Sequence, residues 1–235
     1  MGDEPGRQNV RFPGGDGEAF GYLRVPKSGS GPGVVVIQEW WGLTTHVVSI
    51  VERLAEAGFV ALAPDLYGGS TTHDSAEAAA LLKRLPVERA VEDLAGAVDY
   101  LVGLPAVTSS TVGAIGFCMG GGFVFALAAR RPDLVSAAVP FYGLPRDESI
   151  VPRIRAAVQG HFGLEDHGIP VERVRSVFAA LDERSEPAPA ELHLYPAGHA
   201  FVNDENLIGT YDPECAAQAW SRAVHFLTQH VRQSV

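Results

Sequence analysis

Val112-Gly113-Ala114-Ile115-Gly116-Phe117-Cys118-Met119-Gly120-Gly121-Gly122 is the stretch whose reading decides the fold. An apolar run ends at Gly116, and a helical pattern begins at Gly120 or just before it. Between them stands a cysteine with glycine two positions away on each side. That is the Gly-x-nucleophile-x-Gly spacing of a tight strand-to-helix turn, with sulfur in place of the usual serine oxygen. Side chains at the flanking positions would collide, so those positions carry none. The turn lifts the nucleophile above the sheet at a helix N-terminus, where partial positive charge favours a thiolate. The competing interpretation is plain. The chain has 26 glycines, so the pentapeptide can arise by chance, and a lone cysteine before an apolar helix often packs as core.

The segments on either side repeat one pattern. Val34-Val35-Val36-Ile37 is a continuous β-branched run, as expected of a strand buried on both faces. A helix follows, capped by Thr44 or Thr45 and stopped by Gly58. Phe59–Ala63 reads as the next strand, 66–74 as a loop, and Asp74 or Ser75 opens an alanine-rich helix to Arg84. Pro86 takes the first position of an amphipathic helix running to Leu101. Beyond the elbow, Gly120–Arg131 is helical, Val135–Phe141 is a strand, and Ala156–Gly163 is a weaker one. Val171–Leu181 is helical, Glu191–Tyr195 alternates as a strand, and Ala216–Val231 closes the chain as a helix. Glu18–Pro26 suggests an early strand, and residues 1–17 read as a loose N-terminal arm. Alternating strands and helices imply an α/β class with a mostly parallel sheet and helices on both faces. Residues 18–235 are expected to form a single domain.

Composition narrows the function. A net charge of −10 with no basic run argues against nucleic acid. No apolar run is long enough to cross a bilayer, and the N-terminus shows no secretion signal. The two cysteines, Cys118 and Cys215, are therefore expected as reduced thiols in a cytoplasm, with Cys215 a small packing residue. The histidines at 46, 73, 161, 193, 225 and 230 show no metal-ligand spacing. No metal or organic cofactor is implied, and oligomeric state is not legible.

Ligands of parallel sheets sit beyond the carboxyl ends of the strands. There the chain carries Glu39 with Trp40 and Trp41, then Cys118, then Glu165-Asp166-His167, then His199. Cys118, Asp166 and His199 follow the order nucleophile, acid, histidine of the α/β-hydrolase fold. In such an arrangement Cys118 attacks an ester carbonyl, His199 carries the proton, and Asp166 orients the imidazole. Glu165 rivals Asp166 on position alone. The backbone amides of Met119 and Trp40 are the expected oxyanion donors. Trp41, Phe117, Tyr142 and Phe201 are candidate pocket residues, although the tryptophans could equally be core plugs.

From about Gly17 onward the sequence resembles the dienelactone hydrolase (carboxymethylenebutenolidase) family. The carriers are Gln38-Glu39-Trp40-Trp41-Gly42-Leu43, Ala63-Pro64-Asp65-Leu66-Tyr67-Gly68, Gly116-Phe117-Cys118-Met119-Gly120-Gly121, Asp166-His167-Gly168-Ile169-Pro170 and Tyr195-Pro196-Ala197-Gly198-His199-Ala200-Phe201. The resemblance implies a cysteine-dependent hydrolase of a small ester or lactone, working through a thioester, and favours Asp166 over Glu165. It also implies that Glu39 is a substrate-triggered base: the resting thiol stays neutral and is spared oxidation, and substrate shifts the glutamate toward sulfur. Two arginines that clamp the carboxylate of dienelactone in the family are replaced here by Gly68-Gly69-Ser70 and Asn203, and Arg146 is the candidate to replace one. The expected substrate is therefore another small ester or lactone. Alternatives are a general carboxylesterase or thioesterase of the same fold, and a non-catalytic ligand-binding or redox-sensing protein. A nucleotide binder is excluded because Gly120-Gly121-Gly122 lacks both phosphate-loop spacings.

Overall fold

The computed structural model describes residues 8–186 and 188–231. Among the described residues, eight strands form one sheet: β1 (Val10–Gly14), β2 (Gly17–Arg24), β3 (Gly31–Ile37), β4 (Val60–Pro64), β5 (Val107–Phe117), β6 (Val135–Phe141), β7 (Ala157–Gly163) and β8 (Ala190–Tyr195). Their order across the sheet is β1-β2-β4-β3-β5-β6-β7-β8. β1 and β2 run antiparallel; every pairing from β4 to β8 is parallel. The helices are α1 (Thr45–Glu56), α2 (Ser75–Arg84), α3 (Val87–Gly103), α4 (Met119–Arg130), α5 (Val171–Asp182) and α6 (Pro213–His230), with a short 3-10 helix at Glu148–Arg153.

The β-branched run of β3 explains the layering. Successive side chains of a strand point to opposite faces. Val34 and Val36 join one core with Val47, Ile50 and Leu54 of α1 and Phe226 of α6. Val35 and Ile37 join the other, with Leu94 and Val98 of α3 and Phe125 of α4. Each such fully buried side chain contributes about 1.5–3 kcal/mol of burial free energy.

The register brings the strand ends level. Ile37 lies opposite Gly116, Phe117 opposite Phe141, and Gly163 opposite Tyr195. Whatever follows those residues emerges on one edge of the sheet.

Three local expectations need correction. Val10–Gly14 is a strand, not part of a loose arm; it pairs with β2 across a two-residue turn at Gly15 and Asp16. Residues 1–7 lie outside the described set. Pro86 caps α3 rather than starting it. Thr44 holds the cap position of α1 without a side-chain bond. The carboxylate of Glu205 does that work instead, accepting the Thr45 hydroxyl at 2.5 Å and the His46 N–H at 3.0 Å. An acid at a helix N-terminus complements the dipole. Here it also ties the chain beyond His199 to α1.

Candidate active site

Strand β5 ends at Phe117, and Cys118 turns the chain into α4 with φ of 53°. The turn closes because no side chain intervenes. A Cβ on Gly116 would overlap the Gly120 carbonyl, and one on Gly120 would overlap the Ile37 carbonyl and stand 2.6 Å from that of Gln38. These atoms are backbone and cannot swing aside. Gly120→Ala should therefore lower stability by about 1–3 kcal/mol, the range for overpacking a core; the denaturation midpoint measures it.

The sulfur stands 3.1 Å from Nε2 of His199, and Nδ1 of His199 stands 2.6 Å from Oδ2 of Asp166. Asp166 is buried, and its other oxygen accepts the N–H groups of Gly168 (2.8 Å) and Ile169 (3.1 Å). Burial works against the ionised carboxylate, yet the bonds from His199 and the two amides hold its pKa below the usual value. Burial likewise works against a charged imidazole, but Asp166 and Cys118 outweigh it and push the His199 pKa up to about 10. A neutral imidazole donating from Nδ1 to Asp166 presents a bare Nε2 to the sulfur, and its charged form is well supported. The His199 carbonyl accepts the Thr210 hydroxyl, which fixes the loop. Glu165, the rival carboxylate, is exposed and has no bond to His199 among the described residues.

Glu39 leaves β3 on the same edge and is 2% exposed. It accepts hydrogen bonds from Asn203 (2.6 Å) and from the Tyr142 hydroxyl (3.3 Å). Both partners are neutral. Burial raises its pKa, opposed in order by His46, Asn203, His199 and Tyr142. His46, and the bonds that Asn203 and Tyr142 make to Glu39, are what a sequence reading misses here. Asn203 occupies a position where a family arginine is absent, and its amide holds the glutamate instead. His46 is buried, with Nδ1 2.9 Å from Asp204 and Nε2 without a partner among the described residues. The only advance signal for it was its place on the inner face of α1.

Two cavities meet at the sulfur. One, of about 450 Å³, is lined by Glu39, Trp41, Asp166 and His199; the other, of about 300 Å³, is lined largely by apolar side chains. Cys118 and Trp40 line both. Trp41 is both a wall and nearly buried, at 4% exposure. Phe117, Tyr142 and Phe201, read as pocket residues, are fully buried. They form an aromatic floor beneath the site: Phe117 packs 4.9 Å from Phe141, and Tyr142 packs against Phe201 and the His199 ring. Among wall residues Met119 borders the apolar cavity, and the exposed Arg146 lies at its rim. By helix geometry the first N–H of α4, that of Met119, has no acceptor within the helix.

His161, another buried histidine, is engaged by Tyr195 and Gln159, and burial drives its pKa well below the ordinary value. Among the described residues no cluster of His, Cys, Asp or Glu could hold a metal ion, and both cysteines are free. No described helix is long and apolar enough to cross a membrane.

The chain has counterparts among known proteins. Residues 20–231 match the model of the dienelactone hydrolase family. Carboxymethylenebutenolidase 1 of Cupriavidus pinatubonensis is 32% identical, over 90% of this chain and 92% of its own. Protein usf of Aquifex pyrophilus is 31% identical, over 95% and 99%. A solved structure from Klebsiella pneumoniae, provisionally assigned as a dienelactone hydrolase, superposes with a TM-score of 0.83 at 29% identity, covering 94% of this chain and 97% of that one. The chain therefore belongs to the dienelactone hydrolase family and is a carboxylic ester or lactone hydrolase of the α/β-hydrolase fold.

Proposed function

We propose that the protein hydrolyses a small ester or lactone through a thioester on Cys118, with His199 and Asp166 completing a triad. The sulfur attacks the carbonyl carbon while Nε2 of His199 takes the thiol proton. The N–H groups of Met119 and Trp40 hold the oxyanion that forms. Collapse breaks the bond to the leaving oxygen, which receives the proton from His199, and a thioester remains. Water, deprotonated by the same nitrogen, then releases the acid and restores the thiol. Asp166 keeps the imidazole in the productive tautomer and stabilises its cation. The observation that carries this reading is the continuous line of contacts from Sγ through the imidazole to a buried carboxylate, at 3.1 and 2.6 Å.

Glu39 is the proposed substrate-triggered base: shifted toward the sulfur by substrate, it helps draw off the thiol proton, which His199 then carries to the leaving oxygen. Its bonds to Asn203 and Tyr142 hold it off the thiol at rest, and both partners are neutral. Displacing a carboxylate from neutral donors costs less than pulling it from a cation, since charged pairs make the stronger bonds. Glu39→Gln keeps the shape and both partners. It should lower the acylation rate on the order of 100-fold, the scale of a lost general base, with the unfolding transition unchanged. Unaltered single-turnover acylation would exclude the role.

The direct test is hydrolysis of 4-nitrophenyl acetate by wild type, Cys118→Ala and His199→Ala, with mass spectrometry of the acylated protein. An acyl adduct on Cys118 in wild type, and loss of turnover in both variants, is expected. Full turnover by Cys118→Ala would sink the reading. The cytoplasm is the proposed compartment, where a catalytic thiol stays reduced.

A further inference from the structure

The cavity of about 300 Å³ beside Cys118 is not used by any step above. Leu82 of α2, Val87 of α3, and Phe123 and Ala126 of α4 wall it, with Leu144 and Ile150 from the segment after β6. It touches the reaction at Cys118 and Trp40, which it shares with the larger cavity. His199 lines the larger cavity and is absent from the lining of the smaller one.

That division assigns the two halves of the substrate. The departing oxygen must take its proton from Nε2 of His199, so the leaving group has to occupy the cavity that His199 lines. The acyl chain then projects to the other side of the sulfur. Resting on the hydrolytic role proposed for Cys118, we infer that the smaller cavity is an acyl-chain subsite for an uncharged acyl group longer than acetyl. Its walls near the sulfur are hydrocarbon and a thioether. The charged lining residues, Arg146 and Asp147, are both exposed. The Asp147 carboxylate is already engaged by the Ser149 N–H at 2.9 Å, where it caps the 3-10 helix. A carboxylate close to the reacting carbonyl would be stripped of water against apolar walls, which is costly without a paired donor. An alkyl chain there loses nothing and gains burial.

The test is a series of 4-nitrophenyl esters from acetyl to hexanoyl. Each methylene that enters the cavity should raise kcat/KM about fourfold, the factor corresponding to burial of one CH₂. The gain should fall mainly on KM, because the chain is bound alike in ground and transition states. Ala126→Trp and, from another wall, Val87→Trp should each collapse the hexanoyl-to-acetyl ratio. A flat series in wild type, or a rise that survives both substitutions, overturns the inference. A second arm needs no turnover. Calorimetric titration of Cys118→Ala with heptan-2-one should give much tighter binding than with propanone, and adding Ala126→Trp should remove the difference. Were no ester hydrolysed, selective binding of heptan-2-one would still support the subsite while the hydrolytic reading fell. Equal binding of the two ketones would overturn the subsite, whatever the esters do.

Discussion

Cys118→Ala should leave ester turnover lower by on the order of 10⁴-fold or more in kcat, since removing the nucleophile of a triad has effects of at least that size. The substitution deletes the atom proposed to form the thioester, so on that mechanism no partial path survives. What remains is binding and the oxyanion donors, which act on attack by water alone. Folding should be little affected. Cys118 is half-buried, and its φ of 53° is no harder for alanine than for cysteine. Steady-state hydrolysis with a thermal melt as control measures both parts. Turnover within tenfold of wild type, with a normal melt, would dismiss the sulfur as nucleophile.

Asp166→Asn should lower kcat by about 10⁴-fold, the cost of presenting a histidine in the wrong tautomer. The amide nitrogen of asparagine would donate toward His199 where the carboxylate now accepts at 2.6 Å. The imidazole would then answer with a bare Nδ1 and a proton on Nε2, facing the sulfur it should deprotonate. The same substitution has a signature in stability against pH. The pKa of Asp166 is lowered from 3.8, so its contribution is present above that value and fades as pH falls. The pKa of His199 is raised from 6.5 to about 10, so its contribution is complete below the lower figure and is lost as pH rises through the upper one. The difference in melting temperature between wild type and Asp166→Asn should thus be largest between pH 3.8 and 6.5 and shrink toward pH 10. A difference that does not vary with pH would show that the pair carries no linked protons.

The elbow was readable because its spacing is local: the glycines at 116 and 120 sit four residues apart, and the place of a Cβ on Gly116 is taken by the Gly120 carbonyl, whereas the approach of Gly120 to the Ile37 and Gln38 carbonyls is long-range and has no local signature. The parallel sheet was readable because β3, β4 and β6 are buried over nearly their whole length and their sequences say so. β1 was not, since Pro13 and the flanking glycines mask it. Its best signal is Gly14-Gly15-Asp16-Gly17 between alternating apolar residues, a hairpin cue. The pairing of Asn203 with Glu39 spans 164 positions. No local pattern encodes such a contact; it exists only because two loops leave the sheet on the same edge. The pocket assignments for Phe117 and Phe201 failed for a related reason. Apolar residues next to catalytic ones can face either the opening or the core, and here they face the core.

Among the described residues, three of the four non-glycine residues with positive φ are Cys118 (53°), Tyr142 (35°) and Ala200 (58°). One is the proposed nucleophile, one donates to Glu39, and one follows His199. Such conformations are held against local preference by the surrounding structure. Selection for heat resistance alone would favour relaxing them, with glycine at 200 the easiest gain, and would loosen the loop that aims the imidazole. Thermostabilising this scaffold is better pursued at exposed positions of α2 that line neither cavity, leaving these three residues as they are.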